Sequence, residues 1–312
     1  MFNLIGHENQ FKNLIQGYRS GNLHSSIIIH GPKGIGKRVF LNKLIEEIFK
    51  NKFEEKNYKH HFNLFKNNTH PNIKILEKEI DKKSKKLKSN ITIDQIRNLN
   101  DFIKSSPSIK DLNKIILIDS ADDLNINSSN SLLKNLEEPN QNTYIFLISH
   151  QISSLPATIR SRCLKIKLNI HNFDYFKEIM INQIDKITDD EIQFFYDITY
   201  GSPGNAILLY EENILEIFNL TINCFYSNKI SEEHINLANI IAKMENEKFK
   251  SYLSILKSIL VILNKLKNNH IISNVYLSNQ FNLLKQLSKN LTNENIIDRF
   301  EYLIKNESDL FT

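Results

Sequence analysis

Ile27-Ile28-Ile29-His30-Gly31-Pro32-Lys33-Gly34-Ile35-Gly36-Lys37 decides how the rest of this 312-residue chain reads. Three β-branched residues predict a short buried strand, and the glycines predict a turn. Val39, Phe40, Leu44, Ile45 and Ile48 then mark one apolar side of a following helix. Strand, G-x-x-x-x-G-K loop and helix in that order form a phosphate cradle. Backbone N–H groups of such a loop converge on phosphate oxygens, the helix N-terminus adds its positive end, and Lys37 adds a full charge. Gly31, Gly34, Gly36 and Lys37 are therefore the first candidate nucleotide-binding residues.

One position departs from the pattern. The residue after the lysine is ordinarily Ser or Thr, whose hydroxyl ligates a magnesium ion held between phosphates. Here Arg38 stands in that place, followed by Val39. A guanidinium has no lone pair to offer a metal. The expectation is a cradle that holds ATP or ADP without hydrolysing it, with the part played by magnesium left open.

Outward from the cradle, residues 1–24 carry a helical pattern at Phe11, Leu14, Ile15 and Tyr18. After the helix at about 37–50, residues 51–69 read as a polar stretch containing His60 and His61. No cysteine or carboxylate lies at ligand spacing from these histidines, so they read as surface residues and no metal site is expected. Ile73–Leu76 predicts a second strand. The lysine-dense segment Asp81–Lys88 reads as a solvated loop, with a DNA-contacting patch as its alternative. A helix with Ile96, Leu99, Phe102 and Ile103 inward follows, with Asp94 in its first turn where the helix dipole favours it.

Lys114-Ile115-Ile116-Leu117-Ile118-Asp119 is a continuous apolar run ending in a carboxylate, as in a parallel strand buried on both faces. Ligands in open α/β sheets sit at the carboxyl ends of strands, so Asp119 is expected to face the phosphates. A helix over Asn127–Glu138 stops at Pro139. Another strand, Tyr144–Ile148, ends in Ser149-His150, and a turn-rich helix through Ile159–Arg162 precedes a last strand over Cys163–Leu168. Alternating strands and helices predict a three-layer α/β domain with a mainly parallel sheet.

Beyond residue 169 the pattern is helical throughout. Gly201-Ser202-Pro203-Gly204 breaks two short helices. Phe249, Tyr252, Leu253, Leu256, Ile259, Leu260, Leu263 and Leu266 then recur at helical spacing. The net charge of +5 permits nucleic-acid contact without demanding it. Two cysteines far apart, Cys163 and Cys224, make neither a disulfide framework nor a zinc pattern and suit a reducing compartment. No signal peptide and no membrane-spanning run is read, so a cytoplasmic protein is expected.

Three blocks together carry a family resemblance. Asn127-Ser128-Ser129-Asn130-Ser131-Leu132-Leu133-Lys134-Asn135-Leu136-Glu137-Glu138-Pro139 resembles the segment after the Walker B strand of bacterial clamp-loader subunits. Leu155-Pro156-Ala157-Thr158-Ile159-Arg160-Ser161-Arg162-Cys163 resembles their Ser-Arg-Cys block, and Gly201–Gly204 resembles the start of their sensor-2 helix. The plan of the whole chain is similar to that of the delta-prime subunits of DNA polymerase III. The resemblance implies an AAA+ P-loop α/β domain over 1–168, a small helical lid over 169–211 and a helical C-terminal collar over 212–312. It implies a hetero-oligomer with gamma/tau and delta subunits, acting with the sliding clamp and primed DNA and with no membrane role. It also assigns Ser149 as sensor 1 and Arg162 as a finger reaching the γ-phosphate of a neighbour's ATP.

The departures from that family's motors are as informative. Ser120 stands where the water-orienting Glu belongs, Asn205 where sensor 2 has Arg, and Arg38 where the hydroxyl belongs. Asp122 and Asp123 read as helix-start residues. The family's four-cysteine zinc module near residues 50–65 is missing, so no zinc is expected. The reading is a non-hydrolysing stator that completes a neighbour's site. Two alternatives stay open: a gamma/tau-type motor, which needs the absent hydroxyl and Glu, and a P-loop nucleotide kinase, which needs an arginine-rich lid. Nothing in the chain resembles a polymerase active site.

Overall fold

The structure, a computed structural model, describes residues 4–81, 85–110, 112–140, 142–227, 229–269 and 278–306. Within it the chain forms two compact units, Met1–His171 and Asn172–Thr312. The first contains, in order, α1 (Glu8–Arg19), β1 (Ser26–His30), α2 (Lys37–Lys52), α3 (Glu55–Lys66), β2 (Ile73–Leu76), α4 (Ile93–Lys104) and β3 (Lys114–Ile118). It continues through α5 (Ile126–Glu137), β4 (Thr143–Ser149), α6 (Ala157–Arg160) and β5 (Leu164–Lys167).

The five strands are all parallel and lie in the order β2-β3-β4-β1-β5. Alternation along each strand divides the core into two layers. Ile27, Ile29, Ile115, Leu117, Phe146 and Ile148 face one way, against Leu14 and Ile15 of α1, Phe40, Leu44 and Ile48 of α2, and Tyr58 and Phe62 of α3. Ile28, Ile116, Ile118, Ile145 and Leu147 face the other, against Ile96 and Leu99 of α4 and Leu132 and Leu136 of α5. Helices on both faces explain why these strands are apolar throughout. Each fully buried Ile or Leu contributes about 1.5–3 kcal/mol of transfer free energy. This is the expected three-layer α/β architecture with a parallel sheet.

The stretch read as polar, residues 51–69, is mostly helix. Tyr58, Phe62 and Phe65 of α3 recur at helical spacing and are buried, which outweighs the surrounding Lys and Asn. His61 is accordingly half-buried: its ring stacks on Phe53 with centroids 4.2 Å apart, while His60 stays exposed. In the lysine-rich segment an antiparallel bridge joins Ile80 to Leu87, and Lys82–Ser84 lie outside the described residues.

The second unit is helical: α7 (Phe173–Gln183), α8 (Asp189–Ile198), α9 (Pro203–Glu211), α10 (Ile214–Tyr226), α11 (Glu232–Ala242), α12 (Asn246–Lys267), α13 (Ser278–Asn290) and α14 (Asn293–Asn306). One apolar cluster runs through it from Phe176 to Ile296. Phe194 of α8 meets Phe218 of α10 edge to face at 4.7 Å. Residues 169–211 and 212–312 therefore do not form two separate cores. Their expected boundary passes through one. No described helix is long and apolar enough to cross a membrane.

Candidate nucleotide site

The cradle is built where β1 delivers the chain into α2. Gly31 has φ +152°, and a Cβ there would collide with the Leu168 carbonyl oxygen at the end of β5. Only glycine lets the loop leave the sheet at this point. Gly36, with φ +89°, caps α2 and has open space around its missing Cβ, room that an approaching phosphate requires. Gly34 is likewise left-handed. The first turn of α2 contains no acidic residue, so its positive end is uncompensated. His171, the last residue of this unit, ties back to the loop with Nε2 3.1 Å from the Ile35 carbonyl oxygen.

Lys37 is buried. Its ammonium donates to the carbonyl oxygens of Gly31 and Pro32, each at 2.6 Å. Burial pulls its pKa down to about 8 against the opposing pull of Asp122 and Asp119. Arg38, one residue on, reaches the end of β3: Nη1 donates to Asp119 Oδ2 at 2.8 Å, and Nε donates to Asn42 Oδ1 at 3.2 Å.

The P-loop pattern ordinarily brings a magnesium ion beside the phosphates. Its usual protein contacts are the hydroxyl after the lysine and the strand-end carboxylate. Here the first is a guanidinium and the second is already neutralised by that guanidinium. The residues present do not fit the ion. Among the described residues there is also no group of three or more His, Cys, Asp or Glu suited to a metal.

The strand order places β4 between β1 and β3, so its last residue, Ser149, lies between the loop strand and the Asp119 strand. Ser149 is buried, and its hydroxyl donates to Asp122 Oδ1 at 2.9 Å. Asp122 sits in the short turn Ala121–Asp123, as a helix-start residue does, but its carboxylate does more than favour a helix end. It also accepts from Ser120 Oγ at 2.8 Å, the His150 amide at 2.6 Å, the Gln151 amide at 3.2 Å and Ser154 Oγ at 2.7 Å. Burial alone would raise this carboxyl. The His150 amide and the hydroxyls of Ser154, Ser120 and Ser149 instead hold it below the ordinary range. Asp123, its neighbour, pairs with Lys78 at 3.1 Å. The role of Asp122 escapes sequence reasoning because four of its five donors lie in or beyond β4, or depend on β4 lying next to β3.

Arg162 follows α6 and is held by its own chain. Nε donates to Glu137 Oε1 at 2.6 Å, Nη2 pairs with the same oxygen, and Nη1 donates to the Thr158 carbonyl at 2.8 Å. Its side chain remains about one-third exposed. Asn205 lies in α9, in the second unit.

The family described as "DNA polymerase III, delta subunit" matches residues 6–172. The chain belongs to that family. The clamp-loader resemblance read from its motifs therefore holds. The chain is 26% identical to DNA polymerase III subunit gamma of Buchnera aphidicola subsp. Schizaphis graminum, over 99% of this chain and 89% of that protein. It is 28% identical to DNA polymerase III subunit delta' of Pseudomonas aeruginosa, over 64% of this chain and 60% of that protein. A crystal structure of a gamma subunit-related protein from Thermotoga maritima shares 15% identity, with a TM-score of 0.43, covering 96% of this chain and 98% of that one.

Proposed function

We propose that this clamp-loader family member is a delta-prime-type subunit. In this reading it is a stator that hydrolyses no ATP itself and supplies Arg162 to an ATP site on a neighbouring subunit. The observation that carries the reading is the Arg38–Asp119 ion pair at 2.8 Å. It occupies both groups through which a P-loop motor holds its metal. Ser120 compounds the effect, since its hydroxyl is engaged by Asp122 and offers no carboxylate to orient an attacking water. The partners are gamma/tau and delta subunits, with the sliding clamp and primed DNA as the objects of the assembled loader. ATP or ADP in the cradle serves as a structural ligand.

The gamma/tau motor is the competing reading, favoured by the gamma-named relative that aligns over nearly the whole chain. Steady-state ATPase of the purified chain separates the two. A stator gives background rates with magnesium present. Turnover on the order of 1 s⁻¹, abolished by Lys37→Ala, would establish the motor.

A further inference from the structure

Arg38 does more than lack a hydroxyl. Its Nε is fixed by Asn42, one turn along α2, and its Nη1 is fixed by Asp119 at the end of β3. The guanidinium is thus pinned from two directions, beside the loop at the carboxyl edge of the sheet. Two of its five N–H donors account for these bonds, leaving others for an anion. A fixed positive charge stands where a divalent cation would have to come. It repels that cation and has taken its carboxylate.

We infer that Arg38 takes the place of the metal, so that the cradle binds a nucleoside diphosphate or triphosphate as its metal-free anion. This inference rests on the nucleotide reading of the loop proposed above. Magnesium demands near-octahedral oxygen coordination at about 2.0–2.1 Å and gives up its waters reluctantly. A site offering it neither hydroxyl nor free carboxylate gains nothing from its presence. A planar guanidinium instead donates directly to phosphate oxygens, as in other Arg–phosphate pairs. Lys37 adds the second charge by exchanging the Gly31 and Pro32 carbonyls for phosphate. Magnesium in solution then competes for the nucleotide instead of assisting its binding.

The test is an equilibrium titration of the full-length chain with a fluorescent N-methylanthraniloyl-ADP, in excess EDTA and in excess magnesium. Binding in EDTA is expected to be at least as tight as in magnesium. Arg38→Thr restores the hydroxyl and releases Asp119, so magnesium should then tighten binding roughly tenfold or more. Asp119→Asn releases the guanidinium without touching the loop, and should tighten metal-free binding about threefold or more, whereas a metal-dependent site would lose affinity. Circular dichroism on each variant checks folding, and the native titration stands even if one variant fails to fold. Binding of the native chain that requires magnesium overturns the inference. So does an absence of binding under both conditions. Magnesium-dependent binding would also remove the argument that the Arg38–Asp119 pair gives the stator reading, and an absence of binding would remove the structural nucleotide; the finger role of Arg162 is tested separately, by ATPase of the assembled loader.

Discussion

Ser149 Oγ donates a 2.9 Å hydrogen bond to Asp122 Oδ1, joining the last residue of β4 to the turn that follows β3. Ser149, the residue that the family resemblance reads as sensor 1, is therefore already engaged by a carboxylate within its own chain. Any response of Ser149 to a phosphate has to exchange that bond for another. The exchange costs one bond to a charged acceptor, while the carboxylate keeps the His150 amide and the Ser154 hydroxyl.

Asp122→Ala should consequently destabilise the first unit by about 2–4 kcal/mol. The substitution strips five donors of their acceptor, and the Ser149 hydroxyl is left without a partner in a fully buried position. Ser149→Ala removes one bond and no charge, and should cost nearer 1 kcal/mol. Urea unfolding of the two variants beside the native chain reads the difference. Equal, small losses would mean that the carboxylate is solvated and the network contributes little.

In the finger role proposed above, Arg162 would have to give up its pairing with Glu137 in the same way. Its pairing with Glu137 is partly exposed, so Arg162→Ala should cost the isolated chain no more than about 1 kcal/mol. In a reconstituted loader the same variant should lower ATPase at the affected neighbouring site by about 10³-fold or more, as loss of a finger does elsewhere. Bulk turnover falls less, because other sites keep their own arginines. Glu137→Ala frees the guanidinium and should leave that ATPase unchanged or raise it. If both variants lowered turnover alike in fully assembled complexes, the pair would be a structural tie and Arg162 no finger.

Acid should weaken the first unit through its buried histidines. His70 is buried, its ring stacks on Phe49 at 5.1 Å, and its Nδ1 accepts from the Asn72 amide at 3.1 Å. Protonating Nδ1 breaks that bond, and burial followed by the charges of His61 and His60 lowers the pKa to about 4. Unfolded, the ring titrates near its ordinary value of about 6.5. Between those values the unfolded chain binds more protons, so stability is complete above pH 6.5 and declines as pH falls toward 4. The loss due to this ring by pH 5 is about 2 kcal/mol. His70→Gln keeps an acceptor and removes the titration. Its urea midpoint should drop less between pH 7 and 5 than that of the native chain. A parallel decline in both would absolve His70. His7, whose pKa burial likewise lowers to about 4, sustains a residual slope in the variant.

The α/β fold was legible because its signals are local or doubly constrained. Ile27–Ile29 and Ile115–Ile118 are apolar on both faces, which only a strand covered on both sides requires. The Gly31–Lys37 loop declares itself within seven residues. The parts that escaped are long-range. Arg38 and Asp119 are 81 residues apart, so the sequence discloses a lost hydroxyl but not the ion pair that replaces it. Asp122 finds its partners only because β4 threads between β1 and β3, an order that no spacing reveals. In α3 the signal was present but diluted: three aromatic residues at helical spacing among Lys, Asn and His.

Truncations test where the second unit begins. A chain ending at His171 keeps the whole sheet, both of its covering layers and the His171–Ile35 contact, so it should unfold cooperatively as a unit. A chain ending at Glu211 retains α7, α8 and α9 but loses Ile214, Ile217, Phe218 and Ile222, which complete their core. Phe194 and Phe195, both buried in the full chain, would then face water without the Phe218 ring. Removing such a layer exposes far more apolar surface than a short helical segment offsets. The longer truncation should therefore be the worse behaved: binding more of a hydrophobic dye, aggregating more readily, and showing no protected amides in 172–211 by hydrogen exchange. Native-like protection across α7–α9 in the 211-residue chain would make that segment an independently folded lid after all, and the single-core description of the second unit would have to be abandoned.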